Sequence, residues 1–121
     1  MQNEIFETQD GSHSILSTEY GVSYHSRYGA VQESRHVFME AGLFQKSLEQ
    51  KELAILEFGF GSGLNALLTM LEAERHQLHI YYETIEAYPI SIDQARQLNY
   101  PTLLGAPHVQ EKFLQMHECT P

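Results

Sequence analysis

The residues best suited to chemistry lie in one short stretch, where an acidic residue is followed by three alternating glycines. Glu57, Gly59, Gly61 and Gly63 stand in the sequence Glu-Phe-Gly-Phe-Gly-Ser-Gly. An apolar run beginning at Leu53 precedes the stretch, as in a buried parallel strand, and a helical pattern follows it. Glycine permits a tight strand-to-helix turn and lets a ligand approach the backbone, while the first N–H groups of the helix stay free. The pattern predicts a turn that binds a nucleotide or cofactor.

The spacing of the glycines distinguishes between cofactors. A dinucleotide-binding turn has the pattern Gly-x-Gly-x-x-Gly, whose third glycine falls one residue later than Gly63. A phosphate-binding P-loop ends in Gly-Lys-Ser/Thr, and this chain has Gly-Leu-Asn, ending at Asn65. The observed pattern resembles the first motif of class I S-adenosylmethionine-dependent methyltransferases, whose loop faces an uncharged aminoacyl and adenosine ligand.

A second acidic residue, Glu86, ends the strand-like run that starts at His79 and lies 23 residues after Gly63. This is close to the roughly 20 residues at which an acid reaches the ribose hydroxyls in dinucleotide folds. The resemblance to class I methyltransferases implies the same role for Glu86. The alternative is that the glycines only form the turn and that Glu86 is an exposed carboxylate at the end of a strand. The apolar strand before the loop and the amphipathic helix after it favour the binding interpretation.

Hydrophobic periodicity and turn residues predict the elements around this stretch. The dipeptide Asp10-Gly11 between strand-like segments is a hairpin signal. Further along, leucines three and four residues apart predict a helix that packs on a sheet. In chain order the prediction is a hairpin over residues 5–18, an extended segment at 22–26, helices at 30–41 and near 43–48, a strand from Leu53, a helix at 64–71, a strand at 79–86, a helix starting at Pro89, a break at 101–107 and a helix at 108–118.

This order predicts an α/β chain, a partial Rossmann-like class I methyltransferase fold with a parallel β-α-β core, preceded by a β-hairpin and helices. Residues 1–52 would form the N-terminal hairpin and lead-in helices, and residues 53–121 the first part of a Rossmann-like S-adenosylmethionine-binding domain. Only two parallel strands are evident, which leaves a sheet edge and apolar surface uncovered. We therefore expect the chain to be an N-terminal portion of a larger domain, and to be marginally stable or to self-associate on its own.

The N-terminal half adds a resemblance to a particular family. The segment Tyr24-His-Ser-Arg-Tyr-Gly-Ala-Val-Gln-Glu-Ser-Arg-His-Val-Phe38 and the glycine loop through Asn65 are similar to the MnmC-like methyltransferases. These enzymes methylate the aminomethyl group of 5-aminomethyl-2-thiouridine at the wobble position of tRNA. The resemblance implies S-adenosylmethionine as cofactor and tRNA as partner, bound mostly through parts absent from this chain. It implies cofactor contacts from Glu57, Gly59, Phe60, Gly61, Gly63 and Asn65, with Glu86 at the ribose and Tyr24, Ser26 and Glu33 closing over the crevice.

Two other functions remain open at this point. The chain could be a truncated module that binds a cofactor or partner without catalysis, or an NAD- or FAD-binding oxidoreductase, which the glycine spacing disfavours. Tyr24, Ser26 and Glu33 could instead be a packed aromatic residue, a turn or cap, and a helix surface acid. The family also has an acidic motif near the substrate amine that this sequence does not contain. The catalytic residues are therefore expected downstream of residue 121.

Charge and composition limit the partners. The net charge is −9, which argues against a basic face for nucleic acid in this segment. His76 and His79 are three residues apart but straddle a predicted helix-to-strand junction, and no His-Glu-x-x-His motif occurs, so no metal site is predicted. The sequence has one cysteine, no apolar run approaching 20 residues and no N-terminal signal peptide. These features predict a cytoplasmic protein without a membrane partner.

Overall fold

The computed structural model describes residues 3–17, 21–25, 28–35, 42–43 and 49–118. In this part the chain has a mixed α/β architecture with two small sheets. The first is antiparallel, with strands β1 (Asn3–Glu7), β2 (His13–Ser17) and β3 (Val22–Ser23) in that order. The second is a parallel pair of β4 (Glu52–Phe58) and β5 (His79–Ile85). The hairpin and the parallel pair that the sequence predicts are both confirmed.

The described helices are α1 (Ala30–Ser34), α2 (Leu64–His76), α3 (Ile92–Gln97), α4 (Tyr100–Leu103) and α5 (Gln110–His117), with a 3₁₀ turn (Pro107–Val109) before the last. Helix α2 connects β4 to β5 and buries Leu64, Leu67 and Leu68 of its leucine stripe, as the spacing predicts, while Leu71 is partly buried. None of these helices could span a bilayer, since the longest has 13 residues and a span needs about 20. The predicted helix at 30–41 begins as expected, but residues 36–41 lie outside the described part.

Two of these predictions are wrong for local reasons: the start of one helix and the break at residues 101–107. Helix α3 begins at Ile92 rather than at Pro89, because Ser91 forms a capping box with Gln94. Ser91 Oγ accepts from Gln94 N at 3.1 Å, and Gln94 Oε1 accepts from Ser91 N at 3.4 Å. The predicted break at 101–107 overlaps the short helix α4, which has Pro101 in its first turn. Proline is tolerated there because the N–H it lacks would have no helical partner.

Helix α1 depends on the hairpin turn for its N-terminal cap. Its N-cap residue, Gly29, has no side chain to accept from the free N–H groups. Three of these groups donate instead to side chains of the turn: Ala30 N to Thr8 Oγ1 (3.1 Å), Val31 N to Ser12 Oγ (3.0 Å) and Gln32 N to Asp10 Oδ2 (2.9 Å). Burial alone would raise the pKa of Asp10, but hydrogen bonds from Ser12, Gln32 and Thr8 outweigh it and lower the pKa.

One apolar core is shared by the N-terminal hairpin and the helices that follow the parallel sheet. Ile15 of β2 and Val31 of α1 belong to the same cluster as Leu67 of α2 and Phe113 of α5. Hydrogen bonds reinforce this packing, because the Asn99 side chain accepts from His13 N at 3.0 Å and donates to Gly11 O at 2.9 Å. The segments before and after residue 52 are thus joined through core packing.

The parallel sheet is covered on one face only, within the described residues. Leu53 packs in the core, and Ile55 and Ile80 pack against it. On the other face four apolar side chains are largely exposed: Leu56 (56%), Phe58 (77%), Tyr81 (66%) and Ile85 (55%). The expectation that β4 is a fully buried strand is therefore wrong. In the described part a helix layer packs against one side of the sheet, so the apolar residues that alternate to the other side meet solvent.

We expect this exposed sheet face to cause self-association. Replacing Phe58 and Tyr81 with lysine should lower the association constant, because buried apolar surface contributes about 25 cal/mol per Å² and a lysine ammonium resists burial. Sedimentation velocity across a micromolar concentration series measures the change. Leu103→Lys, which alters an apolar residue 43% exposed on α4, is the control. A wild-type chain that stays monomeric and melts sharply would contradict the prediction.

Candidate functional site

A cleft of about 470 Å³ lies at the carboxyl ends of β4 and β5. Its volume is in the range of small-molecule and cofactor sites, and this is the edge at which open α/β sheets bind ligands. Three parts of the chain form its walls. They are the N-terminal segment (Ser17, Val22, Tyr24, His25, Glu33 and Ser34), the glycine loop (Gly59, Phe60, Gly61 and Asn65) and the residues after β5 (Glu86 and Tyr88).

The three glycines of the loop have different structural roles. Gly59, Gly61 and Gly63 all have positive φ angles, of 93°, 59° and 84°, which favour glycine. A side chain on Gly61 would approach Tyr24 Cδ2 to 3.3 Å. One on Gly63 would come within 2.8 Å of Phe60 Cζ and 2.9 Å of His117 Nε2, whereas Gly59 has free space beside it. The glycine spacing thus combines a backbone requirement with close packing at the last two positions.

The glycine loop and the acid after β5 are hydrogen-bonded to each other. Gly61 N donates to Glu86 Oε1 at 2.8 Å, and Tyr88 N donates to Glu86 Oε2 at 3.0 Å. These bonds hold the carboxylate at the wall of the cleft. A carboxylate has about four lone-pair positions, so each oxygen can accept a further hydrogen bond from a ligand hydroxyl.

Glu57 lies behind the cleft and orients a residue that lines it. Its carboxylate accepts from Thr84 Oγ1 at 3.0 Å and from Asn65 Nδ2 at 3.3 Å. Because a carboxylate only accepts, this contact turns the amide nitrogen of Asn65 toward Glu57. The other amide atom, Asn65 Oδ1, is buried and has no hydrogen-bond partner among the described residues, and the same holds for Ser34 Oγ. Both residues line the cleft, and a buried polar atom without a partner is one that a ligand or a water molecule commonly satisfies.

The N-terminal wall carries an aromatic ring and an ionisable pair. Burial raises the pKa of Tyr24, and the negative charge of Glu86 raises it further, so the phenol stays protonated at neutral pH. His25 Nδ1 lies 3.7 Å from Glu33 Oε1, and its Nε2 lies 3.2 Å from Ser62 Oγ. Burial lowers the pKa of His25 by more than Glu33 raises it.

Several residues at and behind the cleft were not anticipated from the sequence. His25 lines the cleft. Its place in the sequence directly after Tyr24 is the one feature that could have marked it as a site residue. Ser62 is fully buried inside the glycine loop, with the Tyr100 hydroxyl 3.1 Å from its Oγ. His117 packs edge-on against Phe60 at 4.9 Å, and burial lowers its pKa to about 4. Tyr100 and His117 carry no local signal because only tertiary packing brings them to the loop.

Most of the residues predicted to bind the cofactor lie together. Seven line the cleft: Tyr24, Glu33, Gly59, Phe60, Gly61, Asn65 and Glu86. Glu57 and Gly63 are not lining residues but support Asn65 and Phe60, and Ser26 lies outside the described residues. Cofactor binding by any of the ten stays a prediction. Across the described ranges, no three His, Cys, Asp or Glu side chains come together in a way that could hold a metal ion.

Comparison with known proteins points to one family, although no family model matches the chain. The tRNA 5-methylaminomethyl-2-thiouridine biosynthesis bifunctional protein MnmC of Caulobacter vibrioides is 38% identical over 101 residues, which are 77% of this chain and 17% of that protein. The proteins of the same name from Delftia acidovorans and Polaromonas naphthalenivorans are 36% and 32% identical over 67% and 86% of this chain. The chain spans 13–18% of the length of these three relatives.

A solved structure is similar as well. The crystal structure of MNMC2 from Aquifex aeolicus matches with a TM-score of 0.65 and 32% sequence identity, covering 74% of this chain and 31% of that one. The similarity in sequence and in backbone therefore extends over most of the chain.

The packing at Gly63 gives a testable difference between two glycines. Gly59→Ala and Gly63→Ala should each lower the free energy of unfolding by about 1–2 kcal/mol, since alanine is strained at a left-handed position. Gly63→Ala should lower the free energy of unfolding by a further ~1–3 kcal/mol, because the new methyl group clashes with Phe60 and His117. Urea unfolding of the two variants measures the difference. Equal losses would show that the loop requires glycine for its backbone angles alone.

Proposed function

Because the chain belongs to the MnmC family, as a relative of one part of its longer members, we propose that its cleft binds S-adenosylmethionine. The chain then contributes the cofactor-binding part of an N-methyltransferase that acts on the aminomethyl group of wobble 5-aminomethyl-2-thiouridine in tRNA. The 2.8 Å hydrogen bond from Gly61 N to Glu86 Oε1 carries the proposal, because it places the glycine loop and the acid on one cleft. We assign the chain a partial Rossmann-like class I methyltransferase fold, with residues 1–52 as hairpin and lead-in helices and residues 53–121 as the first part of the cofactor domain.

The polar groups of the cleft fit this cofactor. Glu86 has acceptor capacity left for the two ribose hydroxyls. The buried Asn65 Oδ1, which has no partner in the described part of the chain, is an acceptor for a polar group of the ligand. Tyr24 and Phe60 supply apolar surface of the kind that lines cofactor sites. Glu57 and Gly63 act from behind, by orienting Asn65 and by permitting the close packing of Phe60.

The chemistry assigned to the chain's own residues is modest. Bound S-adenosylmethionine supplies an already activated methyl group. The protein therefore needs mainly to hold the reactants in alignment and to exclude water. With the cofactor bound, Tyr24 and Phe60 would cover part of it and exclude water. Glu86, held by the hydrogen bonds from Gly61 N and Tyr88 N, would accept from the ribose hydroxyls. No described residue is assigned as catalytic.

The first test is the choice of cofactor. Titration calorimetry should show that S-adenosylhomocysteine binds the 121-residue chain and that NAD does not. Glu86→Gln should weaken S-adenosylhomocysteine binding about tenfold to hundredfold, because hydrogen bonds to a charged group contribute about 1.5–3 kcal/mol. Glu83→Gln, an exposed change on the outer face of β5, should leave the affinity unchanged.

The outcomes separate the competing functions. NAD binding without any heat from S-adenosylhomocysteine would favour an oxidoreductase and refute the proposed cofactor. The chain can instead be supplied with the remaining part of a family member and tested for methyl transfer. Binding of S-adenosylhomocysteine without any methyl transfer in that mixture would favour a binding module without catalysis.

The second test concerns tRNA. With a net charge of −9, the chain should make few phosphate contacts, so its affinity for tRNA should be no better than the non-specific level of roughly 10⁻⁴ to 10⁻⁶ M. The much longer relative from Caulobacter vibrioides should bind tRNA more tightly, with a Kd that rises as salt is added. Filter binding at several salt concentrations measures both. A tight, salt-insensitive complex between tRNA and the 121-residue chain would contradict this division of roles.

A further inference from the structure

A chain of four polar groups runs from the core to the cleft, and its protons can be assigned one at a time. The Tyr100 hydroxyl oxygen is 2.7 Å from His13 O and 3.1 Å from Ser62 Oγ. Burial raises the pKa of Tyr100, so its hydroxyl keeps its single proton. Because a carbonyl only accepts, Tyr100 donates to His13 and accepts from Ser62. Ser62 has then used its own proton and must accept from His25 Nε2, which is 3.2 Å away.

This assignment determines the tautomer of His25. The neutral imidazole has one N–H; here it lies on Nε2, so Nδ1 carries a lone pair. Burial lowers the pKa of His25 by more than Glu33 raises it, which favours the neutral form. Nδ1 and Glu33 Oε1 are 3.7 Å apart, too far for a direct hydrogen bond. Two acceptors therefore lie side by side, on residues that both line the cleft.

The backbone around His25 makes this placement firm. His25 N donates to Ser14 Oγ at 3.0 Å, and its carbonyl accepts from Ser23 Oγ at 2.7 Å. The His25 side chain is 15% exposed and that of Glu33 39%, and both residues line the cleft. Within residues 3–17, 21–25, 28–35 and 49–118, the imidazole contacts Glu33 and Ser62 and, through Ser62, reaches the hydroxyl of Tyr100.

We propose that His25 Nδ1 and the Glu33 carboxylate together bind a protonated amine. A nitrogen about 2.9 Å from each acceptor bridges the pair, donates one N–H to each and brings its positive charge beside the carboxylate. The imidazole adds a neutral acceptor whose direction Ser62 fixes. The class of ligand rests on the proposed function, because the α-ammonium group of S-adenosylmethionine and the aminomethyl group of the substrate both have this chemistry.

The experiment uses two pairs of probes that differ in one amine. The first pair is S-adenosylhomocysteine and its analogue with hydrogen in place of the α-amino group. The second is 5-aminomethyluridine and 5-hydroxymethyluridine. Calorimetry with the 121-residue chain measures the ratio of Kd values within each pair. The wild type should prefer the amine by about tenfold or more in at least one pair, and that pair identifies the source of the amine.

Variants of the two residues separate binding from structure. His25→Gln places an amide N–H at the position from which Nε2 donates to Ser62, but it leaves no acceptor at the position of Nδ1. The preference for the amine over its amine-free analogue should therefore fall to about threefold or less. His25→Asn keeps an oxygen near the Nδ1 position and should retain most of the preference. Glu33→Gln should lose the preference for the amine, and the control Glu83→Gln should keep it. Circular dichroism shows whether each variant is folded. If Glu33→Gln is unfolded, the His25 variants and the measurement of the His25 tautomer test the proposal without it.

Nitrogen-15 NMR of labelled histidine tests the proton assignment directly. The free chain should show His25 protonated on Nε2, and the Nδ1 resonance should shift when the preferred amine binds. A proton on Nδ1, no amine preference in either pair, or a preference unchanged in His25→Gln would each overturn the inference. S-adenosylhomocysteine binding without an amine preference would leave the proposed function intact. An amine preference in the nucleosides without S-adenosylhomocysteine binding would leave this inference intact and remove the proposed cofactor.

Discussion

The hydroxyl of Ser62 joins three parts of the chain that are distant in sequence. It lies in the glycine loop after β4, fully buried, and contacts the imidazole of His25 on one side and the hydroxyl of Tyr100 on the other. Tyr100 in turn donates to the carbonyl of His13 in the hairpin. A buried hydroxyl must satisfy its hydrogen bonds within the protein, and an unsatisfied one costs about 1–3 kcal/mol. The loop, the N-terminal wall of the cleft and the helices after β5 therefore depend on one another for their positions.

The hairpin has a structural role that its small size does not suggest. Its turn residues cap α1, because Gly29 offers no side chain of its own. Helix α1 carries Glu33 and Ser34 to the cleft. The same hairpin places His25, through the hydrogen bond between Ser14 and the His25 backbone. The N-terminal segment is therefore part of the candidate site, and the shared core with α2 and α5 explains why the two segments pack together.

The charge and the exposed apolar surface of this chain bear on the partners that it favours. Its relatives are several times its length, and one face of the parallel sheet displays Leu56, Phe58, Tyr81 and Ile85. Apolar side chains in this arrangement favour burial against another layer. A net charge of −9 is unfavourable for phosphate contacts but has no such effect on a cofactor whose sulfonium and ammonium groups are cationic. The charge is therefore compatible with the proposed cofactor, and the exposed sheet face favours contact with another protein layer.

Sequence alone determined the local elements. The Asp10-Gly11 hairpin, the strands at Glu52–Phe58 and His79–Ile85, and the leucine stripe of α2 follow from turn chemistry and periodicity, which act over a few residues. The spacing from the glycine loop to Glu86 also predicted that these two would meet, because the carboxyl ends of neighbouring parallel strands share one edge of a sheet.

Tertiary structure alone decided which face of β4 is buried and which other residues reach the cleft. Alternation along a strand gives two faces, but only packing shows which of them a helix covers, so the exposure of Phe58 was not predictable. The same is true of His25 beside Glu33, and of Tyr100 and His117 behind the loop. These contacts join residues from 8 to more than 50 positions apart, and no local pattern records them because they arise when the hairpin, α2 and the C-terminal helices pack around one core.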